Sequence, residues 1–336
     1  MFKLLKKIIF LGLTVLLPLM LYNYIVDFYG VFRQDISENR HEPNFRFIKT
    51  KYLVEHPNKY DKLVFGSSRV GKILANHQDP AAYNMYYSEG VPAEFLVDIK
   101  TLFACGVKPD SIFIGLDIFS FRILPEKHQT QLLRLPYNND AVENLSTYLQ
   151  MLVDPPKIGF PEYEIATNFD YENSGSPLHF AVDSLINKDT LAHIQHRKFE
   201  NIQLYRGKRI AKTIDELKQI QSICQENNIP LIIFMNPVYA GTYVQYPFEE
   251  ISKIKTELAQ LGGFIDYSGF NKITVNRLNY YESSHYRYFI GDSIWMDLNG
   301  KSPFSIHKSV NAANVAAYLT KEKEAKAAFE HIAIKN

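Results

Sequence analysis

Two stretches far apart in the chain hold the groups of a nucleophilic relay. Leu63-Val64-Phe65-Gly66-Ser67-Ser68-Arg69 passes from an apolar run into a glycine and two hydroxyls, and the helix-compatible Val70–Leu74 follows it. Such a pattern lets a buried strand deliver a hydroxyl to the carboxyl edge of a parallel sheet, with the N-terminus of the next helix behind it. Glu282-Ser283-Ser284-His285-Tyr286 supplies a carboxylate and an imidazole three residues apart. A serine is a weak nucleophile at neutral pH until a base accepts its proton and a third group orients that base. Ser68 has the position of the nucleophile, His285 that of the base, and Glu282 that of the orienter. Either stretch alone also fits a bland role, Gly66–Ser68 as a loop with a helix cap and His285 as a packed ring. Their joint occurrence in this order points to acyl transfer through an acyl-serine.

The surrounding elements must bring these stretches together. Alternation of strands (63–65, 82–85, 111–117, 230–236, 264–267) with helices (93–104, 214–225, 248–261) predicts an α/β fold with a doubly wound parallel sheet. Further helices are expected over 47–55, 289–298 and 311–332. Residues 119–209 interrupt the rhythm with breaks such as Asp154-Pro155-Pro156 and Asn173–Pro177, and read as an insertion forming a lid or partner surface. At the N-terminus, Lys3, Lys6 and Lys7 precede an apolar run over 8–26 that is long enough to span a bilayer. The absence of a small-x-small cleavage site predicts an uncleaved anchor rather than a removed signal peptide. The division is therefore a cytoplasmic end (1–7), a transmembrane anchor (8–26), a membrane-proximal connector (27–62) containing the charged Gln34–Arg46, and an α/β domain outside the membrane (63–336).

The 37 Lys and Arg nearly balance 36 Asp and Glu, leaving a net charge of +1. No basic field marks a nucleic-acid binder. Cys105 and Cys224 have no metal-ligand spacing and read as buried free thiols, with a disulfide between them left open. His193 and His196 lack nearby carboxylates or cysteines, so no metal is expected there, and the acyl-transfer chemistry needs no cofactor. Arg69 and Arg287 flank the two stretches. Both are candidates for binding an anionic or polyhydroxylated substrate, with a structural ion pair as the alternative.

The ordered blocks resemble the SGNH (GDSL-like) hydrolase superfamily, three-layered and flavodoxin-like. The branch is the membrane-anchored, extracytoplasmic one that includes proteins of teichoic-acid D-alanylation and alginate acetylation. The resemblance rests on the anchor with Asp27–Gly30, then Phe65–Arg69, Asp266–Gly269 and Tyr281–Arg287. It covers about two-thirds of the chain and excludes the insertion. It implies Ser68 as nucleophile, Ser67 in the place of the usual Asp, and Gly90 as a backbone donor to the oxyanion alongside Ser68. The block that normally ends in Asn reads Gly115-Leu116-Asp117 here, and an ionised Asp117 cannot donate to an oxyanion. Asn84 is the nearby substitute. Glu282 replaces the usual Asp before x-x-His. The more literal motif Gly291-Asp292-Ser293-Ile294 falls on an expected helix with no strand before it, and reads as helix surface.

The resemblance further implies a single-pass protein of the inner membrane with its catalytic domain in the periplasm. Its substrate would be a cell-envelope polysaccharide or an acyl carrier, and its partner a membrane-bound O-acyltransferase. The competing reading is a non-catalytic subunit of the same fold that binds glycan or such an acyltransferase.

Overall fold

The computed structural model describes residues 2–32, 42–128, 131–156, 168–170, 175–178, 180–200, 202, 204–302 and 307–333. Parts of Gln34–Arg46 and of the Asn173–Pro177 break lie outside them. The chain begins with helix α1 (Phe2–Val26), a stretch apolar enough to cross a membrane and unburied by the rest of the protein. Helix α2 (Phe45–Glu55) follows, its first turn capped by Asn44, whose side chain accepts from the Phe47 N–H. The described parts of the segment expected to be a connector pack into the core instead. Tyr29, Val31, Phe45, Phe47 and Leu53 bury in the same apolar cluster as the central strands. Among its described polar residues, Arg46, Lys49 and Thr50 are buried there too.

The α/β unit runs β1 (Lys62–Gly66), α3 (Ala75–Gln78), β2 (Ala82–Asn84), α4 (Pro92–Ala104) and β3 (Ser111–Leu116). The insertion follows with α5 (Ala141–Val153), the hairpin β4 (Asn168–Asp170) and β5 (Ser176–Leu178), α6 (Phe180–Lys188) and α7 (Thr190–Gln195). It leaves and rejoins the domain at one place, where the Arg209 N–H donates to the Phe121 carbonyl at 3.0 Å. Then come α8 (Ile210–Glu226), β6 (Leu231–Met235), α9 (Ala240–Tyr243), α10 (Phe248–Gln260), β7 (Phe264–Asp266), α11 (Tyr288–Leu298), β8 (Lys308–Val310) and α12 (Val315–Ala333).

Six strands form one sheet in the order β2-β1-β3-β6-β7-β8. All neighbours are parallel except β7 and β8. Leu63, Val64, Phe65, Ile112, Ile114 and Leu116 are fully buried, which is why β1 and β3 read as unbroken apolar runs rather than alternating ones. The edge strand β8 has no such run, since Lys308 and Ser309 are exposed, and the sequence pattern assigns no strand there. Cys224 is buried, Cys105 is half-buried, and both thiols are free.

Candidate active site

β1 ends at Gly66, directly beside Gly115 of β3. A methyl group at Gly66 would fall 2.2 Å from Val70 Cγ2, and one at Gly115 would fall 2.4 Å from the same atom. Two glycines in register therefore let the chain turn sharply behind the strand and tuck Val70 underneath, leaving Ser68 at the sheet's carboxyl edge. The turn is a single 3-10 turn over Val70–Lys72, and α3 starts only at Ala75. Where the sequence suggests a helix over Val70–Leu74, the chain makes this single turn.

Ser68 Oγ lies 2.7 Å from His285 Nε2, and His285 Nδ1 lies 2.6 Å from Glu282 Oε1. The pattern assigns the tautomer with the proton on Nδ1, donated to Glu282, and a lone pair on Nε2 facing the serine hydroxyl. Glutamate reaches as well as aspartate would, because the loop folds onto it. Glu282 Oε1 also accepts the His285 N–H at 2.7 Å, and Oε2 accepts the Ser284 N–H at 2.8 Å. Thr242 Oγ1 donates to the Ser283 carbonyl at 2.6 Å, and the Tyr281 N–H donates to the His285 carbonyl at 2.8 Å. The loop is closed on itself and pinned from outside.

Burial holds the His285 imidazole below its usual pKa. The positive charges of Arg69 and Lys72 push the same way, and Glu282 pulls against them. Burial would raise Glu282, but the hydrogen bond and charge of His285 and the two backbone N–H groups outweigh it, leaving the carboxylate below its usual range. At neutral pH this is an uncharged base beside an ionised orienter.

A second network joins the two stretches. Arg69 donates from Nε to the Ser284 carbonyl and from Nη2 to Ser284 Oγ, both at 2.7 Å, and Nη1 lies 3.1 Å from Asp117 Oδ1. Ser67 Oγ donates to Asp117 Oδ2 at 2.7 Å. Asp117, at the oxyanion position of its block, thus anchors Ser67 and Arg69 and is no donor there. Arg69 lines the cleft, yet its guanidinium is committed to positioning the histidine loop, and Phe119 lies against it at 4.7 Å.

Three further assignments change. Asn84 donates from Nδ2 to the Val70 and Ile73 carbonyls at 2.8 and 2.9 Å and is fully buried, so it braces the turn rather than facing a substrate. The Gly90 N–H donates to the Tyr87 carbonyl at 3.1 Å, closing a turn instead of facing the cleft. Arg287 contacts Asp183 Oδ1 at 2.6 Å and Asn187 Oδ1 at 2.8 Å, clamping α6 of the insertion away from the cleft. Ser293 is on the exposed side of α11 and donates back to the Phe289 carbonyl at 2.7 Å, as expected of helix surface. His193 donates from Nε2 to the Tyr280 carbonyl at 2.8 Å, and its Nδ1 accepts from Lys198 Nζ at 2.9 Å.

The cleft has a volume of about 440 Å³ and is lined by Ser68, Arg69, Glu89, Phe119, Tyr205 and His285 among others. Glu89 is a residue that sequence reasoning missed. Its backbone lies in the left-handed region at φ 53°, a conformation costly for a side-chain-bearing residue and often found at functional sites. Its carboxylate bonds the Tyr205 hydroxyl and lies 3.2 Å from His128 Nε2, both from the insertion. Among the described residues, the backbone N–H groups of Ser68 and Glu89 make no hydrogen bond. These two, both on residues that line the cleft, replace Ser68 and Gly90 as the available pair of backbone donors. For Glu89, only the Glu89-Gly90-Val91-Pro92 turn signal gives a hint in the sequence.

No family model matches the chain, and a search of curated proteins finds no match.

Proposed function

We propose that the protein is a membrane-anchored serine esterase or O-acyltransferase of SGNH type, its doubly wound domain lying outside the cytoplasmic membrane. The observation that carries this reading is the unbroken relay Ser68–His285–Glu282, with contacts of 2.7 and 2.6 Å. In the first step the Ser68 hydroxyl proton passes to His285 Nε2 as Oγ attacks an ester carbonyl. The Oγ–C bond forms, the C–O bond to the leaving alcohol breaks, and that alcohol takes the proton from His285. Water or a sugar hydroxyl then gives its proton to His285, attacks the acyl-serine, and releases Ser68 Oγ to recover the proton. The Ser68 and Glu89 N–H groups are the donors nearest at hand for the oxyanion. Cell-envelope polysaccharide is the proposed acceptor, and an acyl carrier or a membrane-bound O-acyltransferase the proposed acyl source.

The test is turnover of a small acyl ester by the full-length protein in detergent or lipid. Activity in the native protein that is lost in both Ser68→Ala and His285→Ala supports the reading, and equal turnover in all three removes it. The engaged Gly90 N–H favours one alternative, a non-catalytic subunit that keeps the fold to bind glycan or an acyltransferase. Under that reading the native protein turns over no ester, while deletion still abolishes acylation of the cell surface.

A further inference from the structure

Helix α5 has two apolar faces where a surface helix needs one. Its inner face buries Thr147 and Met151, and Tyr148 packs edge-on against Phe47 with ring centroids 5.2 Å apart. Its outer face carries Val142, Leu145, Leu149 and Val153, which are 74%, 56%, 46% and 43% exposed. Their spacing of three, four and four places them in one narrow stripe along the helix. A solvent-facing helix gains nothing from such a stripe.

The C-terminal end of α5 adjoins α1. The two helices pack side by side, and Asn23 Nδ2 of α1 donates to the Leu152 and Asp154 carbonyls at the end of α5, at 2.8 Å each. The Tyr29 hydroxyl bonds Asp154, and Phe32 bridges Tyr24 of α1 and Tyr148 of α5, with ring centroids 5.7 and 5.8 Å apart. Tyr22, Tyr24, Ile25 and Val26, at the end of α1, are all exposed. The end of the bilayer-length helix is therefore fixed, by side-chain-to-backbone bonds, to the end of α5 that carries Val153, the last residue of the stripe.

We propose that α5 lies in the interfacial layer of the same membrane that α1 spans, with Val142, Leu145, Leu149 and Val153 in the acyl-chain boundary. The proposal rests on reading α1 as a membrane span. A single spanning helix leaves a domain free to swivel, whereas a second, rigidly joined contact fixes its orientation. The insertion is then a docking element, and the same insertion supplies His128 and Tyr205 to the cleft wall at Glu89. Helix α5 has no Lys or Arg, and its charged groups are Glu143 and the caps Asp140 and Asp154. Its binding is accordingly driven by apolar area and independent of anionic lipid.

The experiment places a tryptophan at one position at a time in the full chain, reconstituted in zwitterionic lipid brominated near the headgroup end of the acyl chains. Trp295 is buried and gives a constant background. Leu149→Trp reports the stripe, Leu16→Trp the span, and Gln219→Trp, on the exposed side of α8, the aqueous control. The proposal expects quenching and a blue-shifted emission for Leu149→Trp, several-fold beyond Gln219→Trp and unchanged when anionic lipid is added. Quenching at Leu16→Trp with none at Leu149→Trp overturns the inference and leaves the anchor intact. That outcome means a protein partner or water covers the stripe. Absence of quenching at both positions overturns the anchor reading together with the inference.

Discussion

The two halves of the cleft are built differently. On the base side every polar atom has a local partner: Glu282 closes onto the Ser284 and His285 N–H groups, and His285 bridges it to Ser68. On the opposite side the Ser68 N–H stays available, but the other groups expected there are engaged elsewhere. Asn84 braces the turn, Asp117 holds Ser67 and Arg69, and the Gly90 N–H closes a turn to Tyr87. The carboxylate–imidazole pair of the base side is assembled from residues close in sequence, Glu282 to His285. The oxyanion side depends on where backbone N–H groups are left unused, which is a property of the folded loop. A relay can thus be complete in a chain whose charge-stabilising half departs from its expected pattern.

The sharpest way to break this contrast is to remove the relay. Ser68→Ala and His285→Ala are expected to lower ester turnover by roughly 10³-fold to 10⁶-fold, measured as kcat/KM. Next comes Glu282→Gln, expected to cost about 10²-fold to 10⁴-fold because the imidazole loses its orienter. The sign of its pH effect is fixed too. His285 titrates below the usual imidazole value of 6.5, so the native acid limb of kcat/KM lies below that pH. Glu282 raises the imidazole pKa, so the variant's acid limb moves to still lower pH even as its plateau falls. A pH-rate profile showing an upward move contradicts the arrangement.

Arg69 and Asp117 join the halves. Arg69→Met leaves the Asp117 carboxylate buried without its cation and frees the Ser284 loop, and is expected to destabilise the fold by about 3–5 kcal/mol. Thermal or urea unfolding measures this. Ser284→Ala removes only one of Arg69's bonds and should cost about 1 kcal/mol by the same measurement. The smallest effect is reserved for Lys72→Met. Lys72 lies outside the cleft lining, and burial brings its own pKa down to about 8. Its charge depresses His285, so its removal moves the acid limb upward by a few tenths of a pH unit or so with kcat nearly unchanged. A pH profile and an active-site titration separate that shift from unfolding.

What the sequence reveals follows the same division. β1, β3 and β6 are legible because a parallel strand buried on both faces is a continuous apolar run, and Ser68 is legible because it follows one. His285 and Glu282 are legible because their partnership spans three residues. Asp117 and Arg69 are visible as residues but not as a pair, since they meet only across the turn from β1 to the loop after β3. Glu89 gives almost no signal, because the partners of its carboxylate, His128 and Tyr205, come from the insertion. The 27–62 segment misleads because its buried Arg46 and Lys49 are partnered inside the domain. Arg46 contacts Asp98 at 2.7 Å, and Lys49 donates to the Asn84 and Tyr86 carbonyls. Composition alone reads such charges as solvated.

The most direct test of the central claim, that Ser68 is an activated nucleophile, is labelling of the full-length protein by a fluorophosphonate followed by intact-mass and peptide analysis. The arrangement predicts one adduct per chain, located on Ser68, formed at neutral pH and lost in His285→Ala. An unlabelled native protein, or an adduct that persists in Ser68→Ala, would contradict it.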